Sequence, residues 1–261
     1  MPELPEVESY RRLAEAGALE RTIASVRAPD AWYLKRGTDA EALTAVLAGH
    51  RFVAARRRGK LMMLDTDDGI VIGLRFGMSG RLLVDGHAGV DRLQYGRAAA
   101  EARFERFAVG FADGGSMAMS DPRRLGGVEL DPDLSLLGPD AAVVTLAQLR
   151  SALAGSQVAL KARLLDQRRI AGVGNLIADE VLWRAGLSPV RAAGGLSEAE
   201  MRRLRRHLVA GVSDLMERGG SHTGDLGTER RRGGACPLDG AALARATVGG
   251  RTSYWCPDHQ R

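Results

Sequence analysis

The apolar period changes once along this chain, and that change limits its architecture more than any other feature. From about Ile23 to Leu130 the apolar residues come in short β-type runs, such as Leu61–Asp65, Ile70–Leu74, Arg81–Val84, Phe104–Phe111 and Ser116–Met119. Turns such as Asp67-Asp68-Gly69 and Asp113-Gly114-Gly115 separate them. Beyond the Pro- and Gly-rich stretch from Asp131 to Asp140 the spacing becomes helical, over Leu146–Leu153, Leu160–Gln167, Leu176–Ala185 and Glu198–Glu217. Two more helices are expected in the first half, Pro5–Ala16 with Val7, Tyr10, Leu13 and Ala14 on one face, and Asp39–Ala48. Many short strands favour a sandwich or barrel, so the expected class is α+β. It comprises a β-sandwich with flanking helices over 1–131, a hinge-like linker over 132–145, a helical domain over 146–234, and a short unit over 235–261 holding both cysteines. The segment Arg218–Gly234, rich in Gly and Arg, is expected to be a mobile loop, and the arginines at 202, 203, 205 and 206 a solvated helix face.

Composition narrows the function classes. No run of about eighteen apolar residues exists to span a bilayer, and the acidic start lacks a signal-peptide pattern, so a cytoplasmic location is expected. Two cysteines, Cys236 and Cys256, exclude a disulfide framework. A formal charge of +5 and a pI of about 9.7 suit a polyanionic partner. Of 37 basic residues only Lys35, Lys60 and Lys161 are lysine. Where arginine is the habit, a retained lysine suggests a compact point charge, with chance retention as the lesser alternative.

The start, Met1-Pro2-Glu3-Leu4-Pro5-Glu6-Val7-Glu8, offers reactive groups. Removal of Met1 would leave Pro2 as a terminal secondary amine, and α-amino groups titrate at roughly 7.7–8.0, so part of it is unprotonated at neutral pH. Attack of such an amine on a carbonyl-like carbon gives an iminium. Glu3 and Glu6 supply carboxyl groups for proton transfer. The same residues would also make an ordinary helix start, since Pro and acidic residues are both favoured in the first turn.

Further along, Gly172-Val173-Gly174-Asn175 opens a helix with a tight turn, a form suited to anion binding at a helix N-terminus, with Asn175 as cap and Lys161 and Gln167 as added donors. An ordinary interhelical corner would look alike. Arg56-Arg57-Arg58-Gly59-Lys60 at a strand entrance suits a phosphate backbone, with a solvated basic edge guarding a sheet as the lesser alternative. The turn Gly77-Met78-Ser79-Gly80 and the loop from Asp121 to Gly126, with Arg123 and Leu125, present residue types able to fill a base stack. Met78 as core filler is the plainer reading. Cys236-Pro-Leu-Asp239 and Cys256-Pro-Asp-His259 have zinc-knuckle spacing with mixed donors. A plain buried cysteine pair beneath a hairpin remains open. Between them Gly249-Gly250-Arg251-Thr252 is a tight turn presenting one arginine.

Together these residues resemble the formamidopyrimidine-DNA glycosylase and endonuclease VIII family of base-excision repair enzymes. The resemblance rests on the Pro-Glu-Leu-Pro-Glu-Val-Glu start, Arg58-Gly59-Lys60, Gly77–Gly80, Asp121–Gly126, Leu164-Leu165-Asp166-Gln167, Gly172–Glu180 and Gly250-Arg251-Thr252, in order along nearly the whole chain. It implies a β-sandwich, a helix–two-turn–helix domain and a zinc-finger-type hairpin with DNA in the cleft between, in a monomer that binds damaged double-stranded DNA. It implies a bifunctional glycosylase and abasic-site lyase. Pro2 would attack the sugar C1′, Glu3 would move protons, Glu6 would support the site, and β,δ-elimination would cut the strand. Lys60, Asn175 and Arg251 would hold phosphates, with Lys60 at the catalytic centre and Lys161 nearby on the DNA side. Met78, Arg123 and Leu125 would occupy the gap left by a flipped nucleotide. Cys236, Asp239, Cys256 and His259 would hold zinc. Three departures bear on this. Leu125 stands where the oxidised-guanine branch usually has Phe. The segment Gly219–Gly234 is short for the part that includes the loop closing over 8-oxoguanine. Half the cysteine set is replaced. Ring-opened purines, oxidised pyrimidines or bulky adducts are therefore expected ahead of 8-oxoguanine. Two other classes fit parts of the sequence: a damage-recognising DNA-binding protein with little turnover, and a small-molecule tautomerase using a terminal proline.

Overall fold

In the computed structural model of the protein, which describes residues 2–90 and 102–261, the chain forms two compact units. One comprises Pro2 and Glu6–Leu134, the other Glu3–Pro5 and Ser135–Arg261. The boundary thus falls at 134/135, and Glu3–Pro5 packs with the second unit rather than with its sequence neighbours.

The first unit holds α1 (Leu4–Gly17, apart from its first two residues), β1 (Ile23–Arg27), α2 (Ala40–Leu47), β2 (Phe52–Arg58), β3 (Leu61–Thr66), β4 (Val71–Arg75), β5 (Arg81–Val84), β6 (His87–Ala88), β7 (Glu105–Phe111), β8 (Ser116–Ser120) and β9 (Gly127–Leu130). Among the described residues these strands make two antiparallel sheets, ordered β1-β7-β8-β5-β6 and β2-β3-β4-β9. Alternation builds the core: Phe107, Val109 and Phe111 of β7 and Met117 and Met119 of β8 point inward with Met62, Leu64, Ile72 and Leu74 of the other sheet. Asp39 caps α2 by accepting from Ala42 N–H at 2.7 Å.

The arginine cluster expected at a strand entrance lies within β2 itself, and Arg56 and Arg57 are paired there with acidic side chains. Arg56 forks onto Asp65 at 2.6 and 2.5 Å, and Arg57 reaches Glu8 at 3.2 Å. Lys60 sits at the β2–β3 turn, where Gly59 adopts φ +59°.

The second unit contains α3 (Leu146–Leu153), α4 (Leu160–Leu165), α5 (Asn175–Ala185), α6 (Glu198–Glu217) and the hairpin β10 (Ala244–Val248) and β11 (Arg251–Trp255). Capping boxes start α3 at Thr145 and α6 at Ser197, and Gly186 ends α5 in the left-handed region at φ +62°. On α5, Leu176–Leu182 are all buried, the mark of a helix surrounded by protein. The stretch 132–145 is not a free linker. Ala141 and Val144 lie in the second core, and Ala141 N–H donates to Ala171 O at 2.9 Å.

The segment Arg218–Gly234 is likewise not loose. Glu180 accepts from the N–H groups of Asp225 and Leu226 at 3.0 and 2.9 Å, and Arg230 is bound to Asp179 at 2.8 Å. Two buried acidic residues on α5 supply what a Gly/Arg-rich composition conceals. The arginine face of α6 is also partly committed, because Arg203 donates to Ala185 O and Arg205 to Val144 O. Among the described residues no helix is long and apolar enough to cross a membrane.

Candidate active site and nucleic-acid contacts

The α4–α5 corner is shaped by side-chain hydrogen bonds. Gln167 Nε2 donates to Leu165 O and Val173 O at 2.8 and 2.9 Å, and its Oε1 accepts from Gly172 N–H at 2.9 Å. Gly172 takes φ +111°, open only to glycine at no strain. Gly174 then stands as N-cap of α5 without a side-chain cap. The missing partner comes from the other end of the chain. Glu3 Oε1 accepts from Leu176 N–H at 2.9 Å and Oε2 from Ile177 N–H at 3.1 Å. Glu3 as a whole is 1% exposed. A Cβ on Gly174 would fall on that carboxylate, so glycine is required by the acid it faces.

The anion at this helix start is therefore Glu3, and these two N–H groups are not available to a phosphate. Asn175 is the first helical residue rather than the cap, and its Oδ1 is buried without a hydrogen-bond partner among the described residues. Gln167 is spent on the turn, not on a ligand.

Lys161 departs furthest from expectation. It is fully buried, and its ammonium contacts Asp179 Oδ1 at 2.7 Å, Ser253 Oγ at 2.6 Å and Thr252 O at 3.2 Å. Two of these contacts are hydrogen bonds to β11 and the third is an ion pair, and with no surface exposed Lys161 is not open to a DNA phosphate. Burial lowers its pKa, opposed by Asp179 and, more weakly, by Glu3. Asp179 also takes Arg230 and the Tyr254 N–H. This network clamps the hairpin onto α4 and α5. The hairpin tip seats closely as well: a Cβ on Gly249, at φ +58°, would meet Ala162 at 2.9 Å. Arg251, just past the tip, is exposed.

In the first unit Pro2 and Glu6 are buried, Lys60 and Met78 half-buried, and Arg123 and Leu125 exposed, Leu125 at 52%. Met78 lies on the β4–β5 turn and the other two on the β8–β9 loop.

The four C-terminal candidates do converge. The donor atoms of Cys236, Asp239, Cys256 and His259 all lie within 4.8 Å of one another. Cys236 Sγ is 3.7 Å from His259 Nδ1, and Cys256 Sγ is 3.3 Å from Asp239 Oδ2. His259 Nε2 lies 3.3 Å from Trp183 O and Nδ1 2.9 Å from Asp239 Oδ2. Both partners are acceptors, and a neutral imidazole has one N–H, so it satisfies only one of them; a cation among these groups lets Nε2–H face Trp183 O while Nδ1 and Asp239 both act as ligands. Trp183 Nε1–H also donates to Cys236 Sγ at 3.2 Å, the outer support usual around a ligand sulfur. Burial pushes the Cys256 thiol up to about 11, and a bound cation would reverse that shift. The donor set fits a metal ion.

Comparison with known proteins agrees with both units. The formamidopyrimidine-DNA glycosylase N-terminal domain matches residues 1–128 and the helix–two-turn–helix domain of the same enzymes matches residues 137–225. The chain belongs to the formamidopyrimidine-DNA glycosylase family. A formamidopyrimidine-DNA glycosylase of Paracoccus denitrificans is 35% identical over 98% of this chain and 99% of its own length. One from Arabidopsis thaliana is 30% identical over all of this chain and 71% of its own. Among solved structures, the Lactococcus lactis enzyme bound to abasic-site DNA superposes with a TM-score of 0.85 at 26% identity, each chain covered in full. The same enzyme bound to DNA with an oxidised pyrimidine gives 0.85 at 27%.

Within this family fold the residues that sequence reading missed are Asp179, Glu180 and Trp183, all on α5. The available signal was an acidic pair inside an otherwise apolar helix, which needs buried cationic partners.

The Lys161 network makes a testable distinction. Lys161→Ala leaves Asp179 buried and undercompensated and should cost about 3–5 kcal/mol in denaturant unfolding. Arg251→Ala, at an exposed position, should change stability by less than about 0.5 kcal/mol. Near-native stability of Lys161→Ala would return that residue to the surface.

Proposed function

We propose that this protein is a DNA glycosylase with abasic-site lyase activity that removes damaged bases through its N-terminal proline. The observation that carries the reading is the buried Glu3 carboxylate, fixed on two backbone N–H groups one residue from the proposed nucleophile. With Met1 removed, the Pro2 nitrogen attacks C1′ of the damaged nucleotide, and the bond from C1′ to the base breaks. The departing base and the opening sugar oxygen need protons, and Glu3 supplies and later recovers them. Ring opening leaves an iminium between Pro2 and C1′. That cation acidifies C2′, so loss of a C2′ proton expels the 3′ phosphate, and a second elimination expels the 5′ phosphate. Water then hydrolyses the iminium and frees the amine.

Lys60, Asn175 and Arg251 hold phosphates around the extruded nucleotide. The two α5 N–H groups are taken by Glu3, so Asn175 acts through its side-chain NH₂, and Arg251 through an exposed guanidinium at the hairpin tip. Glu6 is the supporting carboxylate. Met78, Arg123 and Leu125 fill the gap. Leu125 stacks less well than an aromatic wedge would, so weak discrimination of the opposite base is expected. The short, tied segment up to Gly234 favours ring-opened purines or oxidised pyrimidines over 8-oxoguanine.

Zinc is the metal that suits two thiolates, one imidazole and one carboxylate. With roughly 2.3 Å zinc–sulfur and 2.0–2.2 Å zinc–nitrogen or –oxygen bonds, tetrahedral edges run to about 3.3–3.8 Å, near the 3.7 and 3.3 Å separations to sulfur. Its part is structural, holding the base of the hairpin that presents Arg251. About one zinc per chain is expected by elemental analysis, falling well below half in Cys256→Ser. A metal-free wild-type protein that still binds DNA normally would remove zinc from the account.

For the chemistry, Glu3→Gln should slow single-turnover base release roughly 10²–10⁴-fold on a folded protein. Pro2→Gly should alter the lyase step while leaving DNA binding largely intact. Unchanged excision by Glu3→Gln would exclude Glu3 as the proton donor.

A further inference from the structure

Asp121 is fully buried, and no catalytic step uses it. Its Oδ1 accepts from Ser79 Oγ at 2.6 Å and Arg123 N–H at 3.1 Å, and its Oδ2 from Leu125 N–H at 3.0 Å and Gly126 N–H at 2.9 Å. One carboxylate therefore fixes the backbone of the loop bearing Arg123 and Leu125 and, through Ser79, the turn bearing Met78.

A second contact joins the same two segments. Gly77 adopts φ +56°, and a Cβ there would lie inside the backbone of Leu125 and Gly126. The Met78 turn thus rests directly against the Leu125 loop. Within that loop Arg124 is turned aside at φ +55° and clamped to Asp30 by two bonds of 2.6 Å, whereas Arg123 and Leu125 stay exposed.

We propose that Asp121 and Ser79 are positioning residues that lock the Met78 turn and the Arg123–Leu125 loop into one gap-filling unit. The idea rests on the assignment of Met78 and Leu125 to the gap made under Proposed function. Two wedges on independent loops would each insert and relax separately. Locked together, they enter the duplex as one body, so either one missing leaves the other poorly placed. The lock matters only where a gap must be filled. It has no role on single-stranded DNA, where no opposite strand closes over the vacated position.

The test is a double-mutant cycle of Met78→Ala and Leu125→Ala, measured by single-turnover excision of the same damaged base from duplex and from single-stranded DNA. The cycle is run in the wild-type and Ser79→Ala backgrounds. Ser79→Ala leaves Asp121 its three backbone bonds, and a melting curve checks that the protein is folded; Ser79→Thr keeps the hydroxyl and serves as rescue. In the wild-type background each single change should slow duplex excision, and the pair should cost little more than the worse of the two. Ser79→Ala alone should slow duplex excision about tenfold, the scale of a lost hydrogen bond to a buried charge, with the single-strand rate within twofold. In that background the two wedge changes should multiply. Ser79→Thr should restore both rate and coupling. Coupling that survives Ser79→Ala would overturn the lock while leaving the gap-filling roles standing. If neither Met78→Ala nor Leu125→Ala slows duplex excision, the gap-filling assignment itself fails and the lock with it.

Discussion

The helix start of α5 and the Glu3 carboxylate complete each other, and the second unit is organised around the helix that makes this pairing. Helix N-termini carry unsatisfied N–H groups and a partial positive charge. Here the cap position is Gly174, whose lack of a side chain leaves room for an acid from the start of the chain. An anion in such a setting is stabilised by about 0.3–1 kcal/mol, and by up to about 2 kcal/mol when partly buried. The gain in precision matters more than the energy. A side chain with three torsions is held by two backbone bonds, 2.9 and 3.1 Å long, on a rigid element.

Further along α5, the same helix serves the other parts of the second unit. One turn on, Asp179 gathers Lys161, Arg230 and the Tyr254 N–H, while Glu180 holds Asp225 and Leu226. A further turn on, Trp183 contacts the candidate metal-binding cluster through its carbonyl to His259 and its indole N–H to Cys236. Acid, hairpin, tied segment and the Cys236–His259 cluster are thus referenced to one buried helix. Buried ion pairs add little net stability by themselves, but breaking one is costly, which suits elements that must keep a fixed relation.

Much of the architecture was legible from sequence because its signals are local. The helices Leu146–Leu153 and Glu198–Glu217 were readable to the residue, since periodicity and a capping box coincide there. The strand Arg81–Val84 was equally plain. The side-chain networks were not legible, because their partners are far apart in sequence. Nothing near Lys161 announces that Asp179, Thr252 and Ser253 will surround its ammonium, so a lysine beside a glycine turn reads as a phosphate donor. Nothing in Gly219–Gly234 reveals Glu180 waiting for Asp225 and Leu226. The clustering of the four metal candidates, in contrast, followed from spacing, because a hairpin brings its two bases together.

The central claim is that the α5 N-terminus exists to hold the proton donor, and Gly174→Ala tests it directly. The added methyl falls where the Glu3 carboxylate lies, while the residues at positions 2 and 3 stay unchanged. Single-turnover excision of a damaged base should fall at least tenfold, while borohydride trapping on a preformed abasic site, which needs only the Pro2 amine, falls far less. A Gly174→Ala protein that excises bases at the wild-type rate would contradict the account.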